Sequence, residues 1–280
     1  MSESKRIESL SVLLDPEGKM LLDESYKGVI ENVRMNTVSS ALKNTQLSGD
    51  PDAGTLFAKR FVNAQSQEYG TARGKQAGEK IQGKDVAVII DKDKEFVEEI
   101  ENKDIKLLGV DGLLASRSAN HALQMANELD EQFFAKGAEE GTAFTPTKTA
   151  IQDIIEEAIL TLTKTKNKYI HGIPRNLIKV VTDPDTYSQM RDYLDKVVNT
   201  GTTTREYQFG NYHGVEVMES INMPEGVKFE VMVNGSIAQP VMSAPYSAER
   251  IGLSEAYGVS LFFHYGTKVV TPETILVYRA

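Results

Sequence analysis

The closest match to a chemical motif in this sequence is a glycine-rich stretch at residues 70–76, which reads GTARGKQ. Loops of this kind hold phosphate groups with their backbone amides and a lysine. Here the glycine spacing is one residue too short, and no strand directly precedes the loop. Gln76 also stands where serine or threonine would bind magnesium. The stretch therefore does not predict a nucleotide site.

A second candidate is the acidic run at residues 91–102, which opens with Asp91-Lys92-Asp93 as a calcium loop could. The calcium loop requires glycine at its sixth position and glutamate at its twelfth. Those two positions are occupied by Phe96 and Asn102. The mismatches favour a solvated strand over a metal site.

The remaining residues that could do chemistry are scattered. The four histidines are His121, His171, His213 and His264, and no two of them have a metal-binding spacing. A lone histidine such as His121, beside an apolar helix stripe, is more often a surface or satisfied residue than a ligand. Glu156 and Glu157 are adjacent, so on a helix they diverge and do not form an acid–base pair. The sequence predicts no catalytic residues, no cofactor and no metal.

Composition limits the class of protein. The chain has 280 residues, 40% apolar and 25% charged, with a net charge of -9 and no cysteine. This length allows one large or two ordinary domains, and the missing cysteine excludes disulfides and thiolate sites. No apolar run reaches the ~18 residues of a membrane span, and the first residues lack the apolar core of a signal peptide. The acidic balance argues against tight nucleic-acid binding.

The most informative stretch spans residues 49–93. Two strand-like runs, 55–62 and 85–91, flank a polar tract at 64–84 that four glycines interrupt. This pattern predicts a long hairpin whose tip has almost nothing apolar to bury. The tip is then either a disordered tract or an arm that lies on a neighbouring subunit. For the second alternative, the predicted contact residues are Tyr69, Arg73, Lys75, Glu79 and Lys80.

Helical patterns lie on both sides of this hairpin. Residues 5–46 predict one or two helices, interrupted at 15–18, in an extended arm with few neighbours. An apolar stripe predicts a helix over 113–136, about 35 Å long, with Gly137 and Gly141 at its end. A further helix is predicted to start at Thr145-Pro146.

The C-terminal half predicts a compact α/β unit. A strand at 176–181 leads to Asp183-Pro184, which starts a helix through Val198. Asn234-Gly235 is a strong turn signal. The other predicted strands are 215–218, 227–233, a return strand within 237–242, 259–263 and 274–278.

In this order, the elements resemble the major capsid proteins of tailed bacteriophages, which have the Hong Kong 97-like or Johnson fold, an α+β fold. The resemblance covers nearly the full length. Its supporting motifs include the glycine-led strand and Asn-x-Pro turn of 212–224 and the ending at 265–277. By this resemblance the chain divides into an N-terminal arm (1–48), an E-loop hairpin (49–93), a peripheral domain with a spine helix (94–174), an axial domain (175–245) and C-terminal strands (246–280).

The resemblance implies a shell subunit that assembles with itself into pentamers and hexamers around double-stranded DNA, without sequence-specific binding. It also implies a virion protein, assembled in the bacterial cytoplasm with a portal. A separate scaffolding protein is implied because no scaffolding domain fits before residue 49, and no covalent crosslink is expected from Lys75, Lys80 or Lys84. Two alternatives stay open: an encapsulin-type nanocompartment shell and a small cytosolic enzyme.

Overall fold

The structure is a computed structural model of the chain. It describes residues 9–47, 54–64, 66, 68–71, 80–196, 211–252 and 254–280, with the backbone alone at 58, 107, 108 and 194–196. The helices are α1 (Pro16–Asn36), α2 (Ser39–Leu42), α3 (Ile105–Glu140), α4 (Ile151–Lys164) and α5 (Pro184–Lys196). Short 3₁₀ helices cover Leu10–Leu14, Arg175–Leu177 and Pro272–Thr274.

The strands follow in chain order and alternate with these helices. They are β1 (Thr55–Phe61), β2 (Gly83–Ile89), β3 (Lys92–Ile100), β4 (Thr142–Ala143), β5 (Ile178–Thr182), β6 (Asn211–Tyr212), β7 (Val215–Glu219), β8 (Val227–Val233), β9 (Ile237–Ala238), β10 (Val241–Ser243), β11 (Ser247–Arg250), β12 (Tyr257–Tyr265), β13 (Lys268–Val269) and β14 (Ile275–Arg279). The acidic run that could have been a calcium loop is thus strand β3, as predicted.

The chain folds into two compact units, each built from three separate segments. The first unit contains residues 1–41, 90–132 and 240–266, and the second contains 42–89, 133–239 and 267–280. The assignment of linear segments to an arm, a hairpin, a peripheral domain and an axial domain stays a prediction.

The first unit is organised around β12, the longest strand of its sheet. β3 pairs with β12 along its whole length, and β10 and β11 pair with different parts of the same strand. Alternate β12 residues, from Tyr257 to Tyr265, are buried against helices α1 and α3. This strict alternation is the mark of a sheet with one buried face.

The N-terminal residues belong to that core, which corrects the expectation of an arm with few neighbours. Leu10, Leu22 and Val29 are buried in it. The Tyr26 hydroxyl donates to the Ser243 carbonyl at 3.1 Å. The buried Asp130 carboxylate accepts the backbone N–H groups that begin α2, both at 2.9 Å. The sequence hid these contacts because the partners lie about a hundred or two hundred residues away.

Helix α3 is longer than the predicted 113–136. Its first turn is separated from the rest by Gly109, which has φ of 75°, a conformation that glycine adopts without a steric penalty. The helix also continues through Gly137 to Glu140, so Gly137 does not end it as predicted. Gly137 instead permits a close approach, since a Cβ there would lie 2.6 Å from the Glu230 carboxylate. Gly141 does follow the end of the helix.

The second unit is built on a mixed sheet with strand order β4-β14-β8-β5-β7-β6. β5 pairs in parallel with β7, and antiparallel with β8. Its core joins the apolar face of α4 to β5, β7 and β8. Asp183 caps α5 as predicted, because its carboxylate accepts the Thr186 N–H at 2.8 Å. The predicted end of α5 at Val198 lies outside the described residues.

Two predicted elements differ in this unit. Helix α4 begins at Ile151, not at Thr145-Pro146. The Thr147 backbone and hydroxyl both donate to the Glu157 carboxylate, at 3.0 and 2.7 Å, and these bonds fold the preceding residues onto the side of the helix.

The predicted return strand after the Asn234-Gly235 turn is also wrong. Gly235 does have the positive φ of such a turn, 85°. Pro240, which has no backbone donor, then divides the segment into β9 and β10. β9 pairs with β13, and β10 pairs with β12.

Candidate interaction surface

Strands β1 and β2 form the predicted hairpin stem. They pair antiparallel in continuous register, from Thr55 opposite Ile89 to Phe61 opposite Gly83. Paired residues share a face of the ribbon, so the stem has two distinct faces. One face holds the odd-numbered residues of both strands. The other holds the even-numbered residues.

The odd-numbered face is exposed and largely apolar. Phe57, Phe61 and Ile89 are 75%, 54% and 59% exposed. Between the two phenylalanines lies one charged pair, with Lys59 Nζ 3.7 Å from the Asp85 carboxylate. Large aromatic side chains on an open ribbon are uncommon on a lone soluble subunit, and they mark a surface that another molecule covers.

The even-numbered face is turned toward the rest of the second unit. Val88 is fully buried, and Arg60 forms an ion pair with Glu273. The Arg60 guanidinium also lies 4.1 Å from the centre of the Tyr169 ring. A cleft of about 620 Å³ separates part of this face from residues 268–273.

The predicted contact residues lie at the tip of this hairpin. Tyr69 is 93% exposed, and Lys80 is also exposed. Arg73, Lys75 and Glu79 lie outside the described residues, so the five-residue contact stays a prediction. The apolar face of the stem was not predicted. The signal was present as phenylalanines at positions 57 and 61, which alternation places on one face of a strand.

The residues first considered for chemistry are held in separate places. Gly70 and Thr71 are in a turn closed by the Thr71 N–H and the Glu68 carbonyl at 3.1 Å, while 72–76 lie outside the described residues. The Glu156 carboxylate accepts from Arg175, and Glu157 from Thr147. As predicted, these two carboxylates have different partners.

The histidines are also apart, and His121 proves to be a core residue. Its Nδ1 lies 2.6 Å from the Tyr246 hydroxyl, and its ring stacks on Phe96. Its Nε2 is 3.3 Å from Glu98, whose pKa is lowered chiefly by a hydrogen bond from Arg117. Burial raises the pKa of Tyr246. Among the residues that the structure describes, no group of three metal-ligating side chains comes together.

None of the helices within the described ranges combines the length and the apolar character that crossing a membrane requires.

Comparison with known proteins gives matches among solved structures alone. No family model matches the sequence, and no curated protein does. A chain of the Mycobacterium phage Che8 structure is 21% identical, with a TM-score of 0.63 over 81% of this chain and 85% of that one. The capsid structure of cyanophage P-SCSP1u gives 12% identity and a TM-score of 0.66 over 87% and 88%.

A virus-like particle from Pyrococcus furiosus also matches, with 9% identity and a TM-score of 0.58 over 91% of this chain and 98% of that one. At these identities the likeness concerns the fold. The chain has the Hong Kong 97-like capsid fold, an α+β fold, as the order of elements predicted.

Proposed function

We propose that this chain is the major capsid protein of a tailed double-stranded DNA bacteriophage and assembles into its icosahedral shell. The observation that carries the proposal is the shared fold over more than four fifths of the chain, with phage capsid structures prominent among the matches. Fold alone does not determine function. The hairpin surface supplies the second argument.

The exposed stem face supports self-association. A two-stranded ribbon is marginally stable alone, and this one leaves Phe57, Phe61 and Ile89 in solvent. We infer that another copy of the chain covers them, with the tip residues Tyr69, Arg73, Lys75, Glu79 and Lys80 extending the contact. A ring or closed shell of identical chains provides such a repeated contact at every subunit.

The proposed partners are those of a shell subunit. Copies would form pentamers and hexamers in the host cytoplasm, with a separate scaffolding protein and a portal, and would become part of the virion. The shell would enclose DNA without sequence-specific binding, which the net charge of -9 supports. No catalytic role is proposed.

The virus-like particle from Pyrococcus furiosus favours one alternative, an encapsulin-type compartment. The two proposals differ in what the shell contains, since a phage head holds DNA and a compartment of this kind holds a cargo protein. Nucleic-acid and protein analysis of purified particles separates them.

The experiment is expression of the chain, alone and together with its neighbouring genes, followed by size-exclusion chromatography. We expect the chain to elute as capsomers or larger particles. A chain that remains monomeric in every combination would contradict the proposed function.

A further inference from the structure

The hairpin stem is attached to the rest of its unit by a small set of polar contacts centred on Arg60. The ribbon has one solvated face, and on its other face the cleft of about 620 Å³ leaves part of the stem without direct packing. Packing alone therefore constrains the direction of the ribbon weakly. Whatever spans the cleft contributes strongly to where the ribbon points.

Arg60 spans it with a two-point contact. Its Nη1 donates to Glu273 Oε2 at 3.0 Å, and its Nη2 donates to the other carboxylate oxygen. This fork geometry fixes orientation as well as distance. The two side chains are only 15% and 25% exposed, so solvent screens the pair less than a surface ion pair.

The hairpin itself gives Arg60 no favourable partner. Directly across the ribbon from Arg60 stands Lys84, another cation, and like charges at opposed positions destabilise a strand pair. The sequence of the ribbon thus disfavours Arg60 unless a carboxylate outside the ribbon balances it. Glu273, 213 positions away, supplies that charge.

The receiving side is itself held in place. Tyr169, which lies under the guanidinium, belongs to a turn in which the Asn167 side chain accepts the Tyr169 and Ile170 N–H groups, both at 2.8 Å. The Asn167 amide also donates to Glu273 at 3.3 Å. Glu273 is part of the 3₁₀ helix Pro272–Thr274.

A backbone bond continues the attachment just beyond β1. The Asn63 N–H donates to the Lys168 carbonyl at 3.0 Å. The turn at 166–171 therefore holds the stem by an aromatic ring under Arg60 and by a backbone bond three residues further on.

We propose that Arg60 is the positioning residue that fixes the hairpin in one direction against its own subunit, with Glu273 and Tyr169 as its receptor. The proposal rests on the proposed function where it concerns assembly, since a fixed ribbon presents Phe57 and Phe61 to a second copy in a defined place. Without Arg60 the ribbon remains folded but swings over the cleft.

Hydrogen exchange of the isolated subunit tests the attachment directly. In Arg60→Ala, amides of 55–61 and 83–89 should exchange about tenfold faster, as expected for a lost charge-assisted hydrogen bond. Strands β5 and β8 should keep the wild-type rate. Arg60→Lys keeps the charge but loses the fork, so it should give an intermediate rate.

Two further variants make the test specific. Lys59→Ala, the matched control on the opposite face, should leave exchange unchanged. The exchanged pair Arg60→Glu with Glu273→Arg should recover part of the protection that Arg60→Ala loses. Unchanged exchange in the hairpin of Arg60→Ala would overturn the proposal. So would equal acceleration in β5 and β8, because Arg60 would then act on the stability of the whole unit.

Assembly provides the second readout. Arg60→Ala should lower the yield of shells about tenfold relative to Lys59→Ala, since ordering a swinging ribbon at the contact costs conformational entropy. Equal yields would contradict the role in assembly. If the wild-type chain forms no shells, the proposed function fails, and the exchange experiment still decides whether Arg60 holds the hairpin.

Discussion

Glu230 is the residue whose environment most conflicts with its usual chemistry. It lies in the middle of β8, is fully buried, and neither carboxylate oxygen has a hydrogen-bond partner. Burial raises its pKa well above the ordinary value, although Arg279 opposes that shift. Arg279 donates instead to the Ala138 carbonyl at 2.9 Å. A neutral carboxyl group in the second core is the consequence.

This state predicts a pH dependence of stability. An unfolded Glu230 ionises near its usual pKa of about 4.3, whereas the folded one keeps its proton, so stability falls as pH rises from that value to the folded pKa. Glu230→Gln should remove this part of the slope. Urea unfolding should find the variant more stable than wild type at pH 8, by a margin that shrinks at pH 4.

The control for this prediction is Glu219→Gln, which changes an exposed carboxyl group at the end of β7. It should follow the wild-type curve at both pH values. A margin for Glu230→Gln that is the same at pH 4 and pH 8 would contradict a neutral Glu230.

Gly137 and Gly28 lie inside helices and should respond oppositely to alanine. A Cβ at Gly137 would meet Glu230 at 2.6 Å and Ile237 at 3.3 Å, whereas a Cβ at Gly28 meets nothing within 4 Å. Gly28→Ala should stabilise by about 0.5–1 kcal/mol through helix propensity. Gly137→Ala should lose about 1–3 kcal/mol to overpacking. Chemical unfolding measures both, and stabilisation by Gly137→Ala would show that the helix has room there.

At the scale of elements, the hairpin shows what local patterns predict. Turn residues and two β-type runs indicated a paired stem, and β1 and β2 form one. Which face would be exposed could not be read locally, because it depends on Tyr169 and Glu273, more than a hundred residues away. The same limit explains α4, whose start is set by the contact of Thr147 with Glu157.

Shortening the hairpin should separate folding from assembly. Loop-closure entropy changes slowly with length, so deleting residues 69–79 should leave helix content and the melting temperature nearly unchanged. Shell formation should stop or become irregular because the proposed tip contact is removed. Circular dichroism and electron microscopy of the same preparation give both readouts, and normal shells from the deletion variant would contradict a role for the tip.

At the scale of the whole molecule, the order of elements carried the prediction of the fold. A hairpin, a long helix and an α/β unit appear in the expected sequence, and the solved structures share that fold. The long-range packing was not predictable in this way. Leu10 and Val29 are buried because residues 240–266 return to them, and Pro240 divides a segment that looks continuous in sequence.

Electron microscopy of the purified chain, expressed with its neighbouring genes, tests the central claim most directly. The account predicts closed icosahedral particles in which a neighbouring copy covers the stem face of Phe57, Phe61 and Ile89. Monomers or amorphous aggregates in every combination would contradict the claim that this chain builds a shell. Shells in which that face remains in solvent would contradict the contact assigned to the hairpin.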